Sequence, residues 1–305
     1  MAQRYLEIIK KLGKNRVKTD EPLAKHTTFG IGGPADLYYE AKTTSEIIAA
    51  VKLAQQYHIL YFILGGGSNL LVSDEGFRGI VIKIKNADLR FKNERAVVGA
   101  GLNLGQLVKE TTRRGLLGLE FTAGIPGTVG GAVRGNAGAW RQNIGDGVVR
   151  VKVLDENNRL RWLSRKDCHF SYRQSRFKKS QEIILEAELT LVKGQKQEIK
   201  QKIAEYLQKR RQDPKEPSAG CIFVNPKTCP AGKLIEACGL KGKRIGQAQI
   251  SPRHANFIVN LGGAKAEDVL ELTRLVKGKV KEKFGVNLEK EICLLGFDRI
   301  ERKGN

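Results

Sequence analysis

A chain of 305 residues, 41% of them hydrophobic, can fill the cores of two or three domains. No run approaches the roughly 20 apolar residues of a membrane span, and the opening MAQRYLEIIKKLGKNR lacks the apolar block of a secretory signal, so a cytoplasmic protein without a membrane partner is expected. The formal charge of +22 would draw polyanions, yet the basic residues fall in short runs (KKLGKNR, QKRRQ, KGKVKEKFG) that read as solvated helix faces or ends, and no nucleic-acid-binding signature accompanies them.

After a basic N-terminal helix, the loop HTTFGIGGPA at 26–35 leads into a strand at Asp36 to Glu40. Thr43 and Glu46 then form a T-x-x-E capping pair ahead of Ile47, Ile48, Val51 and Ala54 at helical spacing. ILYFIL at 59–64 reads as a buried strand ending in a second loop, LGGGSNLLV at 64–72, and GIVIKI at 79–84 completes a small α/β domain over residues 1–85. A second domain, 86–197, opens with the strand AVVGA and a helix capped by Asn103 with Gln106 and stopped at Gly115. FTAGIPGTVGGAVRGNAGA at 121–139 follows, poor as helix and poor as strand. Then VVRVKVLD and RLRWLS flank a turn, and the alternation in EIILEAELTLV predicts an antiparallel, half-solvated sheet. The third domain, 198–287, begins at the amphipathic segment Gln197 to Arg211 and the breaker DPKEPSAG. It holds the strand CIFVN, a short helix at Lys233 to Cys238, the strand NFIVN and a helix over Ala266 to Phe284. The last strand, LEKEICLLG, returns to the first domain.

Six glycines in 121–139 are the densest feature of the chain. Glycine reaches φ > 0 and lets a ligand touch the backbone, so three glycine-rich loops suggest main-chain N–H groups laid against something anionic or flat; a tight structural connection is the plain alternative for any one of them. Pro126 fixes one φ in the central loop. A Rossmann site is excluded because GAGLNLG at 99–105 places its last glycine one position late, and GGGSN lacks the Lys-Ser/Thr of a P-loop. Five cysteines, at 168, 221, 229, 238 and 293, have no zinc spacing, so no metal is expected and reduced thiols are.

The segments HTTFGIGGPA, LGGGSNLLV, AGIPGTVGGAVRGNAGA, YRQSRF at 172–177, PSAGCIFVNP at 217–226, LIEACGLKG at 234–242, HANFIVN at 254–260 and LEKEICLLG at 288–296 run in order along nearly the whole chain. Together they resemble the UDP-N-acetylenolpyruvoylglucosamine reductases (MurB), flavoenzymes of bacterial cell-wall synthesis. The resemblance implies an α+β chain: a two-subdomain FAD-binding fold of the MurB/vanillyl-alcohol-oxidase (PCMH) type and a C-terminal α+β substrate-binding domain. The ranges would be 1–85, completed by about 288–305, then 86–197 and 198–287. The length matches the shorter type of the family, without the tyrosine-loop insertion. Implied FAD contacts are Gly65, Gly66, Gly67, Ser68, Asn69 and Leu70, and in the central loop Ala123, Gly124, Ile125, Pro126, Gly127, Thr128, Gly130, Gly131, Asn136, Gly138 and Ala139.

The activity implied is a UDP-N-acetylmuramate dehydrogenase: NADPH reduces FAD, and hydride from flavin N5 reaches the vinyl carbon of the enolpyruvyl ether. A UDP-sugar and NADPH are thus the expected partners of an expected monomer. Charge that builds beside the substrate carboxylate must be stabilised and the neighbouring carbon protonated. Arg173 of YRQSRF matches the family's catalytic arginine and would grip the carboxylate with its fixed fork, and Arg176 is the control. Glu291 matches the catalytic glutamate; Glu289 would share its strand face, so the residues alone do not choose between them. Cys221 stands where the family most often carries serine as proton donor, and a thiol with a pKa of about 8.5 is mainly protonated at neutral pH. Asn225 and His254 are weaker candidates for substrate contacts. An oxidase or dehydrogenase on the same scaffold, and a basic nucleic-acid-binding protein, are the competing readings.

Overall fold

The structure, a computed structural model, describes residues 2–297. The chain divides into two compact units. One takes the residues up to Lys18, Tyr38–Gly66 and Ile80–Arg210; the other takes Thr19–Leu37, Gly67–Gly79 and the residues from Arg211 on. The chain therefore leaves one unit for the other inside its glycine run, between Gly66 and Gly67.

In the first unit the helix Thr44–Gln56 starts where its capping residues put it. Thr43 Oγ1 accepts from the Glu46 N–H at 3.2 Å, the Glu46 carboxylate accepts from the Lys42 N–H at 2.7 Å, and Ile47, Ala50, Val51 and Ala54 are buried. The strand Tyr61–Leu64 pairs in parallel with residues 80–83. It is the terminal strand of its sheet, with Leu64 alone fully buried and Leu60 64% exposed, so the apolar run forms an edge and not the buried strand its composition predicts. Periodicity cannot separate these two cases.

The main sheet of this unit is antiparallel, in the order Leu160–Ser164, Val148–Leu154, Ile183–Thr190, Arg95–Gly99, Leu89–Lys92. The outer strand Leu89–Lys92 goes unmarked in the sequence because ADLRFKNER is polar; its hairpin turns at Asn93, φ 52°. The central strand is buried from Ile183 to Leu189, against the half-solvated expectation. Its acids are covered by cations from other strands of the same sheet. Glu186 meets Arg90 at 2.9 Å and Lys152 at 3.0 Å, while Glu188 meets Arg95 at 2.9 Å and Arg150 at 2.5 Å. Burial pushes the Glu188 carboxyl up, but the hydrogen bonds from Arg150 and Arg95 outweigh it and hold the group below the usual carboxylate range. The Trp162 ring lies 4.3 Å from the Arg150 guanidinium, so the covering cation is itself roofed.

The central glycine-rich segment is not irregular throughout, as expected from its composition, because Val129–Gly135 is a helix. Thr128 caps it, Asn136 in the left-handed region (φ 45°) ends it, and its small residues let it pack at backbone distance. The Val129 N–H donates to the Leu102 carbonyl at 2.9 Å and the Gly130 N–H to that of Ala100 at 2.8 Å, where a Cβ on Gly130 would come within 2.8 Å of Ala100 Cβ.

The second unit is built on an antiparallel sheet in the order Ser218–Cys221, Phe257–Asn260, Ala248–Ile250, Arg244–Ile245. Its core joins Ile222, Phe223 and Ile258 to Ile235 of the helix Ala231–Ala237 and to Val269, Leu272 and Val276 of the helix Ala266–Phe284. Both Asp74 carboxylate oxygens accept from the Ala266 N–H, at 3.0 and 2.9 Å, holding the start of that long helix. The strand expected over CIFVN lies earlier, at Ser218–Cys221: Gly220 at φ 77° and a shifted register end it at Cys221. Likewise only Cys293–Leu295 of LEKEICLLG is strand, parallel to Leu70–Val72. The return expected over 288–305 is described as far as Phe297, and residues 298–305 lie outside the described residues. Among the described residues no helix is long and apolar enough to cross a membrane.

Candidate functional site

The expected cofactor residues divide between the units as the glycine run does. Gly65 and Gly66 stand with residues 123–139 in the first, and Gly67, Ser68, Asn69 and Leu70 stand in the second. In the first unit the two loops touch backbone to backbone: a Cβ on Gly66 would lie 2.6 Å from Gly127 Cα, and one on Gly65 would lie 2.8 Å from Thr128 Oγ1. Only glycine allows that approach. Gly131 differs, being exposed, with only an ordinary 3.6 Å contact awaiting a Cβ; packing does not call for glycine there, and open backbone results. In the second unit Gly67, at φ 67°, presses on the loop 26–35, where a Cβ would meet the His26 carbonyl and the Thr28 N–H donates to the Gly67 carbonyl at 3.1 Å.

Arg173 sits at the tip of a tight turn whose flanks, Ser171 and Gln174, exchange backbone hydrogen bonds of 3.1 and 3.0 Å. Its φ of 56° is a conformation that a non-glycine residue adopts only when its surroundings hold it. Asn136 does the holding: its Nδ2 donates to the Ser171 carbonyl at 2.8 Å and its Oδ1 accepts from the Gly145 N–H at 3.0 Å. Ser175 Oγ adds a 2.6 Å bond to the Arg134 carbonyl. The half-buried Arg173 guanidinium lies 5.4 Å from the Tyr172 ring centre. Arg176 is engaged elsewhere, forked onto both Glu182 oxygens at 2.9 and 3.1 Å. Asn136, expected as a cofactor contact, thus spends its side chain on the arginine turn.

In the second unit Cys221 ends its strand and the chain beyond it runs antiparallel to residues 289–291. The Val224 N–H donates to the Glu289 carbonyl at 2.9 Å and the Glu291 N–H to that of Ile222 at 2.8 Å, so Glu291 pairs with the residue that follows Cys221. Glu291 is half-buried and Glu289 exposed, which separates two acids the sequence left equivalent. Asn69 anchors the same segment, its Nδ2 donating to the Glu291 carbonyl at 3.1 Å and its own carbonyl accepting from the Cys293 N–H at 3.0 Å. The buried Asn256 amide acts as a strand residue would, bonding the Phe223 N–H at 3.0 Å and the Phe223 carbonyl at 2.8 Å. Asn225 Oδ1 accepts from the Ala231 N–H at 2.9 Å. His254 Nδ1 accepts from the Asn256 N–H at 3.2 Å, which leaves the ring proton on Nε2.

Two family models match the chain: an FAD binding domain over residues 35–164 and the C-terminal domain of UDP-N-acetylenolpyruvoylglucosamine reductase over 212–295. The reductase of that name from Halalkalibacterium halodurans is 43% identical over 96% of this chain and 99% of its own, and that of Alkaliphilus oremlandii is 41% identical over 96% and 97%. The chain belongs to the UDP-N-acetylenolpyruvoylglucosamine reductase family. The crystal structure of the family member from Thermus caldophilus superimposes with a TM-score of 0.80 at 39% identity, covering 92% of this chain and 99% of that one. Cys221, Asn225, His254 and Glu291 fall inside the reductase C-terminal match, and Arg173 lies outside both matched ranges. Asn256, the anchor of this segment, stands in HANFIVN with nothing local to mark that role, and Arg210 falls in QKRRQ, a run whose charge alone suggests a solvated helix end. Arg210 instead donates to the Ala123 carbonyl at 2.9 Å.

Proposed function

We propose that this chain is an NADPH-dependent, FAD-mediated reductase that converts UDP-N-acetylglucosamine enolpyruvate to UDP-N-acetylmuramate in peptidoglycan precursor synthesis. Family membership along the whole chain is the observation that carries the reading. It is supported by the FAD binding domain match and by the framed turn that presents Arg173. The closely packed glycine loops fit the cofactor: Gly124 and Gly131 are exposed, so a flat group can approach the main chain there. The expected FAD contacts are Gly65 to Leu70 and, in the central loop, Ala123 to Thr128, Gly130, Gly131, Asn136, Gly138 and Ala139. Bound FAD supplies hydride to the vinyl carbon once NADPH has reduced it.

Arg173 grips the substrate carboxylate with two parallel hydrogen bonds, which strengthen as negative charge builds beside it. Glu291 polarises that carboxylate from its anchored segment. Cys221 Sγ–H gives its proton to the carbon next to the carboxylate, completing the addition of two hydrogens across the double bond. Asn225 through Nδ2 and His254 through Nε2–H offer donors to the UDP-sugar. In this reading the enzyme works in the cytoplasm as a monomer, without nucleic acid.

The test is product analysis. NADPH oxidation should depend on the enolpyruvyl substrate, one equivalent per product, and the product should be heavier by two hydrogens. NADPH consumption with no such product would reject the assignment.

A further inference from the structure

Trp140 and Arg141 form the turn between Gly138–Ala139 and Gln142–Asn143, with φ of 49° and 66°. Two successive left-handed residues make the turn that Asn-Gly adopts without strain, and a Trp-Arg pair adopts it only when other contacts impose it. Those contacts are specific. Trp140 stacks on Tyr206 with ring centres 4.7 Å apart and planes inclined by 22°, and Gln142 Nε2 donates to the Tyr206 hydroxyl at 2.8 Å. The Arg210 guanidinium lies 4.7 Å from the Trp140 ring centre. From there Arg210 Nε donates to the Ala123 carbonyl at 2.9 Å and Nη2 to the Phe121 carbonyl at 3.4 Å, and its Cδ fills the space where a Cβ on Gly124 would sit. One side chain thus joins the end of the helix Lys196–Lys209, the strained hairpin tip and the start of the central glycine loop.

Pinning the Ala123 carbonyl fixes more than that oxygen. The peptide to Gly124 is planar and trans, so its N–H points opposite to the carbonyl, away from Arg210, and Gly124 is exposed. A cation on the carbonyl also polarises the peptide and makes that N–H a stronger donor. A lysine could supply the charge but neither the fork nor the flat face against an indole.

We propose that Arg210, held flat by Trp140, is a positioning residue that orients the Ala123–Gly124 peptide of the flavin loop and so sets the affinity for FAD. The proposal rests on the FAD-binding reading given above, and it assigns a role within QKRRQ that the run's charge alone does not.

The experiment strips flavin from the full chain and titrates the apoprotein with FAD, following flavin fluorescence and the visible bands of the bound cofactor. Arg210→Lys should weaken FAD binding at least tenfold and shift the bound-flavin bands, with the thermal midpoint of the apoprotein unchanged. Trp140→Leu should weaken binding less, and Lys202→Ala on the same helix should leave it as in the native chain. Millimolar guanidinium should restore affinity to Arg210→Ala. Native affinity in Arg210→Lys, or a loss in Arg210→Ala that tracks its stability and resists guanidinium, would overturn the proposal. If Arg210→Lys does not fold, native affinity in Trp140→Leu overturns it and weakened affinity with an unchanged melting point supports it. A native chain that binds no FAD sinks the functional reading itself, whereas equal binding by native and Arg210→Lys proteins sinks only this inference.

Discussion

The Asn69 side chain donates to the main-chain carbonyl of Glu291 at 3.1 Å, across 222 residues of sequence. Asn69 was expected among the flavin contacts, yet this bond makes it the anchor of the glutamate segment. Asn69→Asp replaces the donor with a carboxylate facing a carbonyl, a loss of about 1–2 kcal/mol. Turnover should fall about tenfold while FAD content stays native. A fall in FAD content with normal turnover per bound flavin would instead make Asn69 a cofactor ligand only.

Arg173 and Arg176 stand three positions apart and do different work. Arg176→Lys gives up a fork onto Glu182, whose side chain is only 9% exposed, and should lower stability by about 1–2 kcal/mol with near-native kcat. Arg173→Lys should melt as the native protein does and lose about a hundredfold or more in kcat/KM. Denaturant melts beside steady-state kinetics decide the matter, and a reversed pattern would exchange the two assignments.

Local signals carried much of the fold. The capped helix at 44–56, the glycine stop at Gly115 and the long helix 266–284 follow from side chains within a turn of each boundary. What stayed hidden depends on partners distant in sequence. The Glu186 and Glu188 strand reads as half-solvated until Arg90, Arg95, Arg150 and Lys152 arrive from other strands, and 89–92 becomes a strand only beside 95–99. At the candidate site, motifs picked out Arg173, Cys221 and Glu291 as residues. They carried nothing of the bonds from Asn136 and Asn69 that hold two of those segments, because such bonds span 35 and 222 positions.

Lys83 gives a pH signature. Burial, with Lys85 adding to it and Glu40 opposing, pushes its ammonium down to about 8, below the roughly 10.4 of an unfolded lysine. The charged form is therefore disfavoured in the fold. That cost is fully present below the folded value and is relieved as pH rises from about 8 towards 10.4. Lys83→Met should be more stable than the native chain at pH 7 by on the order of 2 kcal/mol, a gap that closes in the alkaline window. Urea melts showing no gap at neutral pH, or one that widens on raising it, would contradict this.

Cys221 is half-buried at the end of its strand. With serine in its place the reaction should continue and lose its sensitivity to peroxide, because a thiol is oxidised where a hydroxyl is not. In Cys221→Ala, reduction by NADPH should proceed normally and the following half-reaction should stall. Unimpaired turnover in the alanine variant would remove Cys221 from the mechanism.

The decisive measurement is the visible spectrum of the purified protein, recorded without oxygen, then with NADPH, then with UDP-N-acetylglucosamine enolpyruvate. Under the proposed function the flavin bands bleach with NADPH and return when the sugar nucleotide is added. Bands that return only on admitting oxygen, or a protein that neither holds nor takes up flavin, would contradict it.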